Sequence, residues 1–237
     1  MKLLRRVLRR AGFDVVRCPY WNEFAHRRAI LLESHSIDLV LDIGANTGQY
    51  GNEIREHGYN GRLISFEPST AAFEQLKTRA AMDTAWEVMN LALGREPGIG
   101  DLRVAASSAA SSLRMPLATQ LEVAPTSKTV GVESVEVARL DDVVNDLDET
   151  RTYVKVDVQG SERDVIDGAA RTLARAVGLE IELSLTNLYQ NDMLLDESLA
   201  RVSEYGLDLV GLNPGLVDQE SGRLLQCDGI FIRLEGR

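Results

Sequence analysis

The fold is decided by Leu39-Val40-Leu41-Asp42-Ile43-Gly44-Ala45-Asn46-Thr47-Gly48, taken with Leu63-Ile64-Ser65-Phe66-Glu67-Pro68 one βα unit later. An apolar run that ends in a glycine turn and opens a helix is how an α/β sheet brings its backbone close to a nucleotide. Glu67 closes the next apolar run. An acid about 20 residues beyond such a turn is placed to accept hydrogen bonds from ribose hydroxyls. Together these segments predict an adenosine-containing cofactor in the first half of the chain.

The spacing of the turn narrows the cofactor. A dinucleotide site uses Gly-x-Gly-x-x-Gly so that amides can approach a pyrophosphate. Here Asn46 stands two positions after Gly44, and Asp42 precedes the first glycine. An acid at that point suits an amino group better than a phosphate. Asp-x-Gly-x-Asn-x-Gly resembles motif I of the class I S-adenosylmethionine-dependent methyltransferases, whose ligand carries an ammonium and no phosphate. The bland alternative is a turn that uses glycine only for its backbone freedom.

Beyond this stretch the pattern alternates. Strands are predicted at 38–42, 62–66, 85–93, 153–158, 177–183, 207–212 and 229–234, and helices at 48–57, 70–81, 162–173 and 197–205. Ser69 is the expected N-cap of the helix over 70–81. Extra strands at 99–104 and 133–139 flank a long polar loop, the kind that serves as a lid or binding loop. Turn formers in 213–222 predict a terminal hairpin. The fold class is α/β, a Rossmann-like, doubly wound, mostly parallel seven-stranded sheet with an antiparallel last strand.

At 237 residues with 44% hydrophobic side chains, the chain holds one main domain over 37–237, preceded by residues 1–36. Residues 21–35 predict an edge helix, and 2–12 a short amphipathic one. Residues 1–17 carry a charge of +5 and the remainder −15, for a net −10. The basic segment is a candidate for peripheral contact with anionic lipid, against the alternative of a helix packed on its own domain or on a partner subunit. The acidic body argues against nucleic acid as a partner. No run of about 18 apolar residues is present, and no secretory leader is expected. Cys18 and Cys227 are the only cysteines, which fits a cytoplasmic protein without a disulfide framework or zinc site.

In the order of the chain, the motif at 42–48, Phe66-Glu67-Pro68, Asn90-Leu91-Ala92-Leu93-Gly94, Ser111-Ser112-Leu113, Arg139-Leu140-Asp141-Asp142, Lys155-Val156-Asp157-Val158-Gln159-Gly160-Ser161-Glu162 and Gly168-Ala169 resemble FkbM-type methyltransferases from about residue 37 to the C-terminus. The resemblance implies an S-adenosylmethionine-dependent O-methyltransferase acting on a hydroxyl of a sugar, glycolipid or polyketide. The rivals are a non-catalytic partner that keeps the fold, a nucleotide-dependent oxidoreductase and a nucleic-acid methyltransferase. A homodimer is an expectation by analogy with similar sheets.

Site residues follow from strand ends, because ligands of open α/β sheets sit beyond the carboxyl ends of the strands. Asp42, Gly44, Asn46, Gly48, Glu67, Asn90 and Ser111 are the expected cofactor residues. Asp157, Lys155, Glu182 and Glu162 are the candidates for catalysis. Asp157 is a general base, or with Glu182 it holds a divalent cation such as Mg2+ against the acceptor hydroxyl. Asn187, Tyr189 and Gln190 are candidates to hydrogen-bond a polyol. The plain alternative for these acids is an ion-pair network that fixes the turn after the strand at 153–158.

Overall fold

A computed structural model describes residues 23–144, 147 and 149–234. The amphipathic segment at 2–12, the basic residues to 17, Cys18 and the start of the expected edge helix at Trp21 lie outside the described residues. The edge helix is α1 (Phe24–Ser34). The alternating core follows as β1 (Leu39–Ile43), α2 (Gln49–Glu56), β2 (Arg62–Phe66), α3 (Thr70–Ala80), β3 (Trp86–Met89), β4 (Ala92–Leu93), β5 (Gly98–Ala105), α4 (Ala118–Val123), β6 (Thr129–Ala138) and α5 (Leu140–Val143). It continues with β7 (Thr152–Val156), α6 (Glu162–Gly168), α7 (Ala170–Arg175), β8 (Gly178–Ser184), α8 (Leu195–Glu204), β9 (Asp208–Pro214) and β10 (Gln226–Ile232).

The main sheet has seven strands in the order β3-β2-β1-β7-β8-β10-β9. β3, β2, β1, β7 and β8 run parallel, while β10 is antiparallel to both β8 and β9. The order reverses between β1 and β7, which makes their carboxyl ends the switch point where such sheets bind ligands. Every residue of β1 and β7 is buried, as expected of strands covered on both faces. Leu39, Leu41, Ile43, Val154 and Val156 pack on the face covered by α6, α7 and α8. Val40, Leu63 and Tyr153 pack on the other, against α1, α2 and α3. Among the described residues no helix is long and apolar enough to cross a membrane.

Three expectations need correction. The strand expected over 85–93 is two strands, because the chain leaves the main sheet after Met89, and β4 joins a second sheet of order β4-β6-β5. Asn90 sits at the break, its amide donating to the carbonyls of Glu67 (2.9 Å) and Pro68 (3.0 Å). The helix expected over 162–173 breaks after Gly168, where a Cβ would lie 2.0 Å from the Gly94 carbonyl oxygen. Asp141 then caps the second half, accepting from the amides of Arg171 (2.8 Å) and Thr172 (2.9 Å). Finally, the Ser69 side chain makes no cap bond. Glu133, from β6, accepts from the Thr70 amide and hydroxyl instead, placing a carboxylate at the positive end of α3.

Candidate active site

The turn after β1 is built on backbone that most residues avoid. Gly44 has φ +80° and Asn46 φ +48°. A Cβ on Gly44 would lie 1.9 Å from the Asp157 carbonyl oxygen, so the two central turns touch backbone to backbone. Glu67 ties this turn to the next. Its Oε2 accepts from the Asn46 amide and its Oε1 from the Ser69 amide, each at 2.8 Å. Burial pushes its carboxyl up to about 7, against the pull of those two N–H groups. Gly48 serves packing, since Leu76 and Trp86 fill the space its Cβ would need.

Below the turns a polar row crosses the sheet. Ser65, Asp42, Lys155 and Glu180 are register partners on β2, β1, β7 and β8, so their side chains emerge on one face. The Trp86 indole donates to Ser65 Oγ (3.0 Å), which donates to Asp42 Oδ2 (3.1 Å). Asp42 is wholly buried. Burial raises its pKa, with Lys155 opposing. The Lys155 ammonium lies 3.4 Å from Asp42 Oδ1, 3.5 Å from Asp157 Oδ2 and 3.3 Å from the Gly44 carbonyl. Burial would lower its pKa, but Asp157, Asp42 and Glu180 outweigh that and raise it. Glu180 ends the row. It accepts a bidentate pair from Arg28 of α1, both at 2.7 Å, and the hydroxyls of Tyr153 (3.1 Å) and Tyr50 (3.3 Å).

The turn after β7 is held from beneath. Glu162, expected among the catalytic groups, is buried and accepts from the amides of Val158 (3.1 Å) and Gly160 (3.0 Å). It therefore shapes the turn rather than facing a ligand, and burial raises its carboxyl to about 7. Ser112 Oγ, from the loop between β5 and β6, donates to the Gln159 carbonyl. Tyr189, expected to meet a polyol, is buried behind the turn, its hydroxyl donating to Gln159 Oε1 (2.9 Å). The Gln159 amide nitrogen bridges Asp157 Oδ1 (2.7 Å) and Glu182 Oε2 (3.1 Å). Gln226 also donates to that Glu182 oxygen (2.9 Å). Burial and the Asp157, Glu162 and Asp228 carboxylates push Glu182 well up.

That bridge bears on the expected Mg2+ site. A cation held by Asp157 and Glu182 would need oxygen donors where the Gln159 N–H group sits. Among the described residues no group of three His, Cys, Asp or Glu side chains is arranged to hold a metal. The donor set therefore does not fit the expected cation.

Two clefts meet at the switch point. The first, about 550 Å³ and partly open to solvent, is lined by Asn46, Glu67, Ser111, Ser112, Asp157 and Ser161 among others. Ser108 and Ala109, from the loop between β5 and β6, also line it. Asn46 Oδ1 and Ser161 Oγ are buried there without a hydrogen-bond partner. A buried polar atom left unpaired is costly, and two of them on one cleft point to a polar ligand. The second cleft, about 740 Å³, is lined by Arg28, Tyr50, Glu53, Lys155, Glu180 and Asp228 among others. Gly44, Asn46, Ala109 and Asp157 border both. Asn90 and Glu182 line neither.

Sequence reasoning missed Arg28, Tyr50, Gln159, Glu180 and Asp228. A partial signal existed for Glu180: like Asp42 in β1 and Lys155 in β7 it is a charged residue flanked by buried apolar neighbours, although β8 carries a second acid, Glu182. Asp228 is the register partner of Glu182 across β8 and β10. Its carboxyl is raised to about 6 by burial, with the Asn213 amide opposing.

These raised carboxyls set a pH dependence. A folded-state pKa above the unfolded value contributes stability that is complete below the unfolded value and is lost as pH rises through the folded one. For Glu67 and Glu162 that window runs from 4.5 to about 7. The ligand-free protein should therefore melt at a lower temperature near pH 8 than near pH 5.5, by roughly several degrees. Glu67→Gln should flatten the slope. A melting temperature that climbs steadily across this range would contradict the assignment.

The Methyltransferase FkbM domain profile matches residues 42–209. The chain is 27% identical over 188 residues to "2-O-methyltransferase NoeI" of Sinorhizobium fredii, covering 76% of this chain and 77% of that one. Among solved structures, it is similar to a Burkholderia thailandensis 1,6-didemethyltoxoflavin-N1-methyltransferase with bound S-adenosylhomocysteine (TM-score 0.45, 13% identity, 99% of this chain and 88% of the other). It is also similar to a Geobacter metallireducens precorrin-6y C5,15-methyltransferase (TM-score 0.45, 12% identity, 86% of each chain).

Proposed function

The chain belongs to the FkbM methyltransferase family, and from that premise we propose that it methylates a hydroxyl oxygen of a sugar, glycolipid or polyketide-type small molecule. The observation that carries this reading is the junction of the two clefts. Asp157, Gly44 and Asn46 border both, so groups bound on either side would meet there. When bound, S-adenosylmethionine supplies an electrophilic methyl group on a sulfonium. Asn46, Glu67 and Ser161 line the first cleft and would hold that cofactor. The two unpaired buried oxygens of Asn46 and Ser161 support its fit. The relative named as a 2-O-methyltransferase favours oxygen as the acceptor atom.

The second cleft would then take the acceptor. Its lining is polar and charged, which suits a hydroxyl-rich molecule better than an apolar one. Methyl transfer needs the acceptor oxygen about 3 Å from the methyl carbon and in line with the departing sulfur. It also needs a group that takes the hydroxyl proton as the bond forms. Asp157 is held by Gln159 on Oδ1 and Lys155 on Oδ2, so its orientation is fixed and it would position the hydroxyl. Asp228, at about 6, would be ionised near neutral pH yet basic enough to receive the proton.

Calorimetric titration with S-adenosylhomocysteine tests the cofactor half. The wild type should bind, and Glu67→Ala should weaken binding by about tenfold or more, because the Asn46 and Ser69 amides lose their shared acceptor. A well-folded wild type that does not bind would sink the reading.

A further inference from the structure

Arg28 lies on α1, outside the residues 42–209 that match the family, yet it pairs with Glu180, the last member of the polar row beneath the cofactor turn. Building on the reading that this turn binds S-adenosylmethionine, we infer that Arg28 is a positioning residue for the site. It holds Glu180 off Lys155, and so keeps the Lys155 ammonium on the Gly44 carbonyl and Asp157.

Arg28 and Lys155 are competing partners for Glu180. Glu180 is buried, and its cationic partner is the Arg28 guanidinium, which meets it fork to fork with two contacts of 2.7 Å. Such bidentate pairs are among the strongest hydrogen bonds a protein makes. A third guanidinium nitrogen pairs with Glu53 of α2, and the guanidinium carbon stacks 4.7 Å above the Tyr50 ring. The same ring lies 5.4 Å from the Lys155 ammonium, so both cations contact Tyr50. Lys155 is held far less tightly. Its three oxygen contacts all fall between 3.3 and 3.5 Å, and a lysine stem is flexible.

Without Arg28, Glu180 keeps, among the described residues, only the Tyr50 and Tyr153 hydroxyls as donors. A buried carboxylate left without a counter-charge draws the nearest cation, and Lys155 is its register partner on β7. A shift of Lys155 toward Glu180 takes it from the Gly44 carbonyl and frees Asp157 Oδ2. Both central turns then lose the cation that ties them together. Glu180→Gln should remove the pull, so the charge on Glu180, rather than the packing of α1, is the cause.

The test uses the full chain and S-adenosylhomocysteine as the probe, with Arg28→Met, Arg28→Lys and the double variant Arg28→Met/Glu180→Gln. Arg28→Met should bind about tenfold more weakly than wild type, and the double variant should return to within about threefold. Arg28→Lys should fall between them, because a point charge replaces a fork. A merely structural role for Arg28 predicts no return in the double variant, and that outcome overturns the inference. So does unchanged binding in Arg28→Met, or, if that variant does not fold, unchanged binding in Arg28→Lys. A second readout is independent of ligand. The chain has four lysines, so the Lys155 ammonium signal can be followed in protein carrying nitrogen-15 lysine. It should move in Arg28→Met and move back in the double variant. A signal that stays put overturns the inference whatever the ligand does, whereas failure of the wild type to bind, with the signal behaving as expected, counts against the proposed function alone.

Discussion

Gly44→Ala is expected to bind no S-adenosylhomocysteine at concentrations that saturate the wild type. Two effects add. At φ +80° any L side chain is strained, at about 1–2 kcal/mol. The larger effect is steric, because the new methyl would lie 1.9 Å from the Asp157 carbonyl oxygen and 3.3 Å from Val158 Cγ1. That oxygen belongs to backbone tied to β1 through the Asp157 amide and the Ile43 carbonyl (3.0 Å), so it cannot swing aside as a side chain would. The two turns must part, and Asn46 and Asp157 part with them. Gly58→Ala is the matched control. Its φ is +95°, but nothing lies within 4 Å of its Cβ position. It should show the backbone strain alone, with binding intact. Calorimetry and thermal melting of both variants decide the matter; equal binding by Gly44→Ala and wild type would show that the contact is not constraining.

Lys155→Met should cost more stability than any other charge removal at this site, about 3–5 kcal/mol by urea unfolding. The reason is Asp42, which has no accessible surface and would keep only the Ser65 hydroxyl in place of a cation. Asp157 would lose the same partner, but it is partly exposed and water can replace it. Adding Asp42→Asn to Lys155→Met should recover a good part of the loss, since the penalty comes from an uncompensated buried charge. A single variant as stable as wild type would mean that Asp42 is already neutral in the folded protein.

What the sequence made legible is what local pattern encodes. The order of strands and helices, the turn at Gly44, the acid at Glu67 and the strand-end position of Asp157 each follow from periodicity, glycine placement or spacing within one βα unit. Other features depend on register between segments distant in sequence. Glu180 and Glu182 stand two residues apart on one strand, and both face the same side. The reading favoured Glu182 because it is nearer the strand end. Only pairing with β7 shows that Glu180 is the one level with Lys155. Arg27 and Arg28 are likewise adjacent on an arginine-rich helix. Only docking against β8 separates the buried one from its neighbour. Asn90 is expected among the cofactor residues from its place at a strand end. Its amide bonds to the Glu67 and Pro68 carbonyls at the point where the chain changes sheets, a contact that depends on the fold.

The antiparallel strand β10 has a consequence for how the site is divided along the chain. It brings Asp228 to the second cleft from beyond residue 209, just as α1 brings Arg28 from before residue 42. The first cleft is lined wholly from within the matched segment. On the proposed reading, the half of the site that meets the common methyl donor belongs to the shared part of the chain, while the half that meets the acceptor is completed by its two flanks. On that same reading, substitutions at Arg28 or Asp228 would alter the acceptor side of the site and leave the donor side untouched.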